Sequence, residues 1–117
     1  MQMNEMIFDT AMPIDGYGLG FFRVGGKVIE GPVLALPNAA QKWGGLDDMT
    51  ALLALADQVD VIFLGTGADI AHAPDEMRDA LEEIGIGLEV MSSPSACRTY
   101  NILLSEGRRV AAALVPV

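Results

Sequence analysis

The sequence predicts one α/β layered domain with a β-rich N-terminal addition. Three observations carry that expectation. Val61-Ile62-Phe63-Leu64 is an unbroken apolar run with β-branched and aromatic members, and it stops at Gly65-Thr66-Gly67. Such a run reads as a strand buried on both faces in the middle of a parallel sheet. Phe21–Val24 and Lys27–Glu30 flank Gly25-Gly26, a pair that tolerates the positive φ angles of a two-residue hairpin turn. Beyond Asp48, helical and strand patterns alternate to the end of the chain, the order expected of strands joined by crossover helices. At 117 residues the chain has enough material for one core, so residues 1–117 are expected to form a single domain.

Taken in order, residues 1–15 are poorly specified. Ile7 and Phe8 suggest a short strand, and Pro13 through Gly18 read as a loop. In the hairpin Phe22 should face Ile29 and Val24 should face Lys27, which makes that side the core side. Val33–Leu36 is a third strand, opened by Pro32 at a position that needs no ladder donor. Asn38 to Gly45 reads as a loop carrying Trp43. A first helix is expected from about Asp48 to Asp57, burying Met49, Leu52, Leu53 and Ala56 at helical spacing. Pro74 opens a second helix whose inner face is Met77, Ala80, Leu81 and Ile84, with Gly85 as its stop. Leu88–Met91 is a strand. Ser93 is expected to cap a third helix with Pro94 as its first residue, and Ala96, Tyr100, Leu103 and Leu104 line its inner face up to Gly107. Val110–Val115 is the last strand.

Composition narrows the function classes. Hydrophobic residues make up 51% and charged residues 20%, a globular balance. A net charge of −9 repels phosphate backbones and anionic lipid, so nucleic acid is not an expected partner. No apolar run approaches the roughly 20 residues of a spanning helix. The start has neither the basic region nor the apolar stretch of a signal peptide. Cys97 is the only cysteine and His72 the only histidine, so no internal disulfide is available and no metal or cofactor signature is present. A cytoplasmic location is the expectation.

One region gathers candidate chemistry. Strands ending at Leu64 and Met91 are each followed by a helix, so they should be parallel, with their carboxyl ends on one edge of the sheet. Ligands of open α/β sheets bind at that edge. Gly65, Thr66 and Gly67 would then face the N-terminus of the third helix across a crevice. Free amides there, with Ser93, Arg98 and Thr99, suit a carboxylate or phosphate, unless the loop itself satisfies them. Gly65-Thr66-Gly67 lacks the third glycine of a dinucleotide fingerprint, since Ile70 stands in that place. Cys97 sits in the helix's first turn beside Arg98, features that lower a thiol pKa. The same position suits a small buried residue that packs under the helix and reacts slowly. His72 is either a base for that thiol or a solvated loop residue. Trp43 is either a binding aromatic or a lid over one end of the core.

Gly16-Tyr17-Gly18, Phe22-Arg23-Val24-Gly25-Gly26, Pro37 with Trp43, Leu64-Gly65-Thr66-Gly67, Gly85-Ile86, Ala96-Cys97-Arg98-Thr99-Tyr100-Asn101 and Glu106 to Leu114 occur in that order. This ordered set resembles a family of small domains of unknown function that includes the mitochondrial respiratory complex I assembly factor and the adipogenesis-associated protein of animals. The resemblance covers about residue 14 to the end. It implies a three-layer α/β domain, with a mixed central sheet flanked by helices, an N-terminal β-hairpin layer and a last strand antiparallel to its neighbours. It also implies a non-enzymatic interaction or assembly module in a bacterial cytoplasm. Its partners would be other proteins, among them membrane-complex subunits or their insertion machinery. The chain departs from many relatives in having Ser92-Ser93-Pro94-Ser95 where they have a turn with Thr-Gly, and Gly44-Gly45 after Trp43. The remaining expectation from the residues themselves is a small-molecule binder or enzyme acting on an anionic ligand in the crevice.

Overall fold

A computed structural model describes residues 11–117; Ile7 and Phe8 lie outside the described residues. The hairpin forms in the expected register. Strand β2 (Phe21–Val24) runs antiparallel to β3 (Lys27–Glu30), with Phe22 opposite Ile29 and Val24 opposite Lys27. Gly25 and Gly26 take φ of 56° and 84°, the left-handed values that a primed turn requires.

Ile14–Gly18 is a strand, β1, and corrects the loop expected there. Its two glycines hide it from a propensity reading, although its strand partner follows after only Leu19-Gly20. It pairs antiparallel with β2, with an irregularity between Ile14 and Gly16. Asp15, at that irregularity, turns its carboxylate to accept the Gly26 N–H at 2.6 Å. The Asn101 side chain then acts as a surrogate strand. Its Oδ1 accepts the Ile14 N–H at 2.8 Å and its Nδ2 donates to the Ile14 carbonyl at 2.9 Å.

The central sheet has five strands in the order β5-β4-β8-β6-β7: β4 (Val33–Leu36), β5 (Ala39–Lys42), β6 (Val61–Thr66), β7 (Gly87–Met91) and β8 (Val110–Val115). β6 is parallel to β7 on one side and to β8 on the other, while β8 and β5 are antiparallel to β4. The sheet is therefore mixed, but the last strand is antiparallel only to β4, which corrects the expected orientation. β5 corrects the loop expected over Asn38 to Gly45. It returns from β4 through a two-residue connection, and its Ala-Ala-Gln-Lys composition carries no strand signal of its own.

Each face of the sheet holds a core. On one face Val33, Ala35, Phe63, Val110, Ala112 and Leu114 meet the hairpin layer through Ile14, Phe22 and Val24, and helix α3 (Ser93–Ser105) through Ala96, Cys97, Tyr100 and Leu104. On the other, Leu34, Ile62, Leu64, Ala111 and Ala113 meet α1 (Thr50–Leu53), α2 (Asp75–Glu83) and the segments around them. This is the expected three-layer domain. Alanines along β8 let both layers approach its backbone.

Three helix expectations are corrected. α1 is a single turn. The chain leaves it at Ala54, Asp57 adopts φ of 67°, and Leu55 and Val59 are buried where Leu53 and Ala56 were expected. α2 begins one residue later than expected, with Pro74 at its cap, and Ile84 is exposed while Met77 and Leu81 are buried. In α3 the cap is Ser92, whose Oγ accepts the Ser95 N–H at 3.4 Å. Ser93 is thereby the first helical residue, and one position on a helix is a rotation of about 100°. That rotation turns Ser93 inward.

Candidate functional site

The carboxyl end of β6 and the N-terminus of α3 do share one edge of the sheet, but they touch. A Cβ added to Gly65 would lie 2.7 Å from Ser93 Cα and 2.9 Å from Leu114 Cδ2. Only a residue without a side chain lets the helix end come so close. At Gly67 the backbone holds φ of 106°, a conformation open to glycine, and its carbonyl accepts the Ser93 N–H at 2.7 Å. Ser93 is fully buried. Its Oγ accepts the Gly67 N–H at 2.9 Å and donates to the Val115 carbonyl at 2.5 Å. One serine thus ties β6, β8 and α3 together.

The amides at the start of α3 are engaged inside the chain. Ser93 donates to Gly67, Pro94 has no N–H, Ser95 donates to the Ser92 hydroxyl, and Ala96 donates to the Ser92 carbonyl at 2.9 Å. Arg98 points outward and donates to Ser95 Oγ at 3.2 Å; Thr99 beside it is half-buried. Thr66 organises the loop that follows. Its Oγ1 accepts the Ala71 N–H at 2.9 Å and donates to the Asp69 carbonyl at 2.9 Å, with the Met91 carbonyl 3.3 Å away.

Cys97 is buried on the hairpin side of the sheet. Burial pushes its thiol from 9.0 up to about 11, against a smaller lowering by the Arg98 charge. His72 is exposed on the loop leading to α2, the helix on the other side of the sheet, so the structure does not join it to Cys97. Trp43 is buried in the second core, and its Nε1 donates to the Asp48 carbonyl at 2.9 Å.

These placements define a pH response. Below pH 9 the thiol is neutral folded and unfolded, so it leaves stability unchanged. As pH rises from about 9 to about 11 the unfolded thiol loses its proton first, and stability falls. Burial raises the Tyr100 hydroxyl in the same direction. Urea midpoints across this range should fall, and Cys97→Ser, which has no proton to lose there, should show a smaller fall. Thiol reagents should label native Cys97 slowly at neutral pH.

Sequence reasoning did not single out Arg78. It lines a surface cavity of about 260 Å³ with Ile70, Ala71, His72, Ala73 and Val90, and its Nη1 donates to the Leu88 carbonyl at 3.2 Å. The available signal was its standing as the one cation on an otherwise acidic helix. Asn101 was also missed, because a single amide gives no pattern to read.

A family model described as "Protein of unknown function (DUF498/DUF598)" matches residues 14–115. An uncharacterised protein of Rhodobacter capsulatus is 54% identical over 117 residues, covering 100% of this chain and 94% of that protein. The NADH dehydrogenase [ubiquinone] 1 alpha subcomplex assembly factor 3 of Danio rerio is 35% identical over 102 residues, a match that covers 81% of this chain and 59% of the assembly factor. A crystal structure described as an outer membrane protein from Bartonella henselae is 34% identical with a TM-score of 0.82, covering 92% of this chain and 97% of that one.

Proposed function

From the premise that this chain belongs to the DUF498/DUF598 family of proteins of unknown function, we propose that it acts by binding other proteins during assembly of a membrane respiratory complex. The relation to the complex I assembly factors carries this reading. The chain spans about three fifths of the length of those animal relatives, so the proposal concerns only the domain they share. The site geometry is consistent with a module that runs no reaction of its own. The thiol is buried in the core, and the helix amides that would receive an anion are occupied by the chain itself.

The proposed partners are membrane-complex subunits or the machinery that inserts them, met on the cytoplasmic side. Deleting the gene in its host and resolving membranes on native gels stained for NADH dehydrogenase activity tests this. Loss of the mature complex with accumulation of partial assemblies is expected. Normal assembly in the deletion strain would contradict the proposal.

A further inference from the structure

We propose that the outer face of the three-stranded β1-β2-β3 sheet joins two copies of this chain in a two-fold dimer. The inner face is spent on the core through Phe22 and Val24. The register places Phe21 opposite Glu30 and Arg23 opposite Val28, so these four side chains stand at the corners of a rectangle on the outer face. Phe21 and Val28 form one diagonal, and Arg23 and Glu30 the other. On the β1 side the facing residues are Gly16 and Gly18, which add no side chain. The Phe21 ring lies across Gly18, where a Cβ would run into the edge of the ring. The result is a partly apolar surface with a depression of about 290 Å³ bordered by Leu19. Val28 is 54% exposed and Leu19 is 89% exposed.

Charge selects a second copy as the occupant. Among the described residues neither Arg23 nor Glu30 forms an ion pair, although Lys42 reaches the Glu30 backbone carbonyl at 3.4 Å. A two-fold axis along the Phe21–Val28 diagonal would set Arg23 of each copy over Glu30 of the other. It would also stack Phe21 on Phe21 and Val28 on Val28. The patch is thus complementary to itself, as a two-fold interface must be. The rest of the surface opposes self-association. Residues 47–117 carry twelve acids and four cations, whereas residues 11–46 carry two acids and three cations. Two copies of an acidic chain meet with least repulsion through the hairpin layer. A patch of this size is below that of a standard interface, so the dimer should be concentration-dependent and weakened by salt.

Sedimentation velocity over a concentration series tests the proposal. The wild-type chain should shift from monomer to dimer. Arg23→Glu and Glu30→Arg should each stay monomeric under the same conditions, with unchanged circular dichroism and melting. The double variant Arg23→Glu/Glu30→Arg should dimerise again, because reversal of both charges restores the cross-copy pairs. A monomeric wild type, a dimer indifferent to either single reversal, or a double variant that stays monomeric would overturn it.

Discussion

Gly65→Ala should destabilise the protein by about 3 kcal/mol, at the upper end of the usual cost of overpacking a core. The new methyl group would sit 2.7 Å from Ser93 Cα, 2.7 Å from Ser93 Oγ and 2.9 Å from Leu114 Cδ2. The nearest of these atoms include backbone at the start of a 13-residue helix, which cannot rotate away as a side-chain tip can. Either α3 lifts from the sheet or β6 shifts against its two parallel neighbours. For a domain of about this size that loss lowers the melting temperature by roughly 10 °C or more. Urea denaturation of the two proteins checks it. A variant within about 0.5 kcal/mol of wild type, the range of an ordinary surface substitution, would show that the helix end does not press on Gly65.

Ser93→Ala removes about as much stability by the opposite route, taking away partners rather than adding volume. Gly67 loses the acceptor for its N–H, and the Val115 carbonyl loses its donor. Each buried polar group left without a partner costs about 1–3 kcal/mol. The Ser93 backbone bond to the Gly67 carbonyl survives the substitution, so the fold should persist with a weakened junction. Ser93→Ala should therefore unfold at a lower urea midpoint with native-like circular dichroism beforehand. An unchanged midpoint would show that water replaces the hydroxyl at no cost.

Legibility of this fold in the sequence followed the strength of the apolar pattern within each segment. The hairpin register was readable because Phe22, Val24 and Ile29 alternate around a turn whose glycines tolerate its positive φ angles. β6 was readable because an apolar run with β-branched residues has few other uses. β1 was not, because Gly16 and Gly18 leave it no apolar alternation to read, and its far edge is held by the Asn101 amide 87 residues away. β5 was not, because Ala39 to Lys42 takes its strand form from β4 alone. The short α1 was missed because Met49, Leu52, Leu53 and Ala56 have helical spacing. The chain instead uses turns after Leu53 to send Leu55 and Val59 into the core.

The candidate site shows the same limit at finer scale. The sequence correctly placed Gly65-Thr66-Gly67 and the third helix on one edge of the sheet. Whether a gap lies between them depends on which of two adjacent serines caps the helix. With Ser93 as cap, its hydroxyl would have served the helix's own amides. With Ser92 as cap, Ser93 turns inward and closes the edge. Propensity rates the two serines alike, and only packing around Gly65 separates them.

The Gly67 amide reports whether this sheet edge is a closed structural junction. Its hydrogen exchange can be followed by NMR with and without inorganic phosphate. Exchange should be as slow as that of the neighbouring β6 core amides and unchanged by phosphate, because the Ser93 hydroxyl already holds this N–H. Fast exchange in the free protein, slowed when phosphate is added, would contradict it and make the edge an anion site.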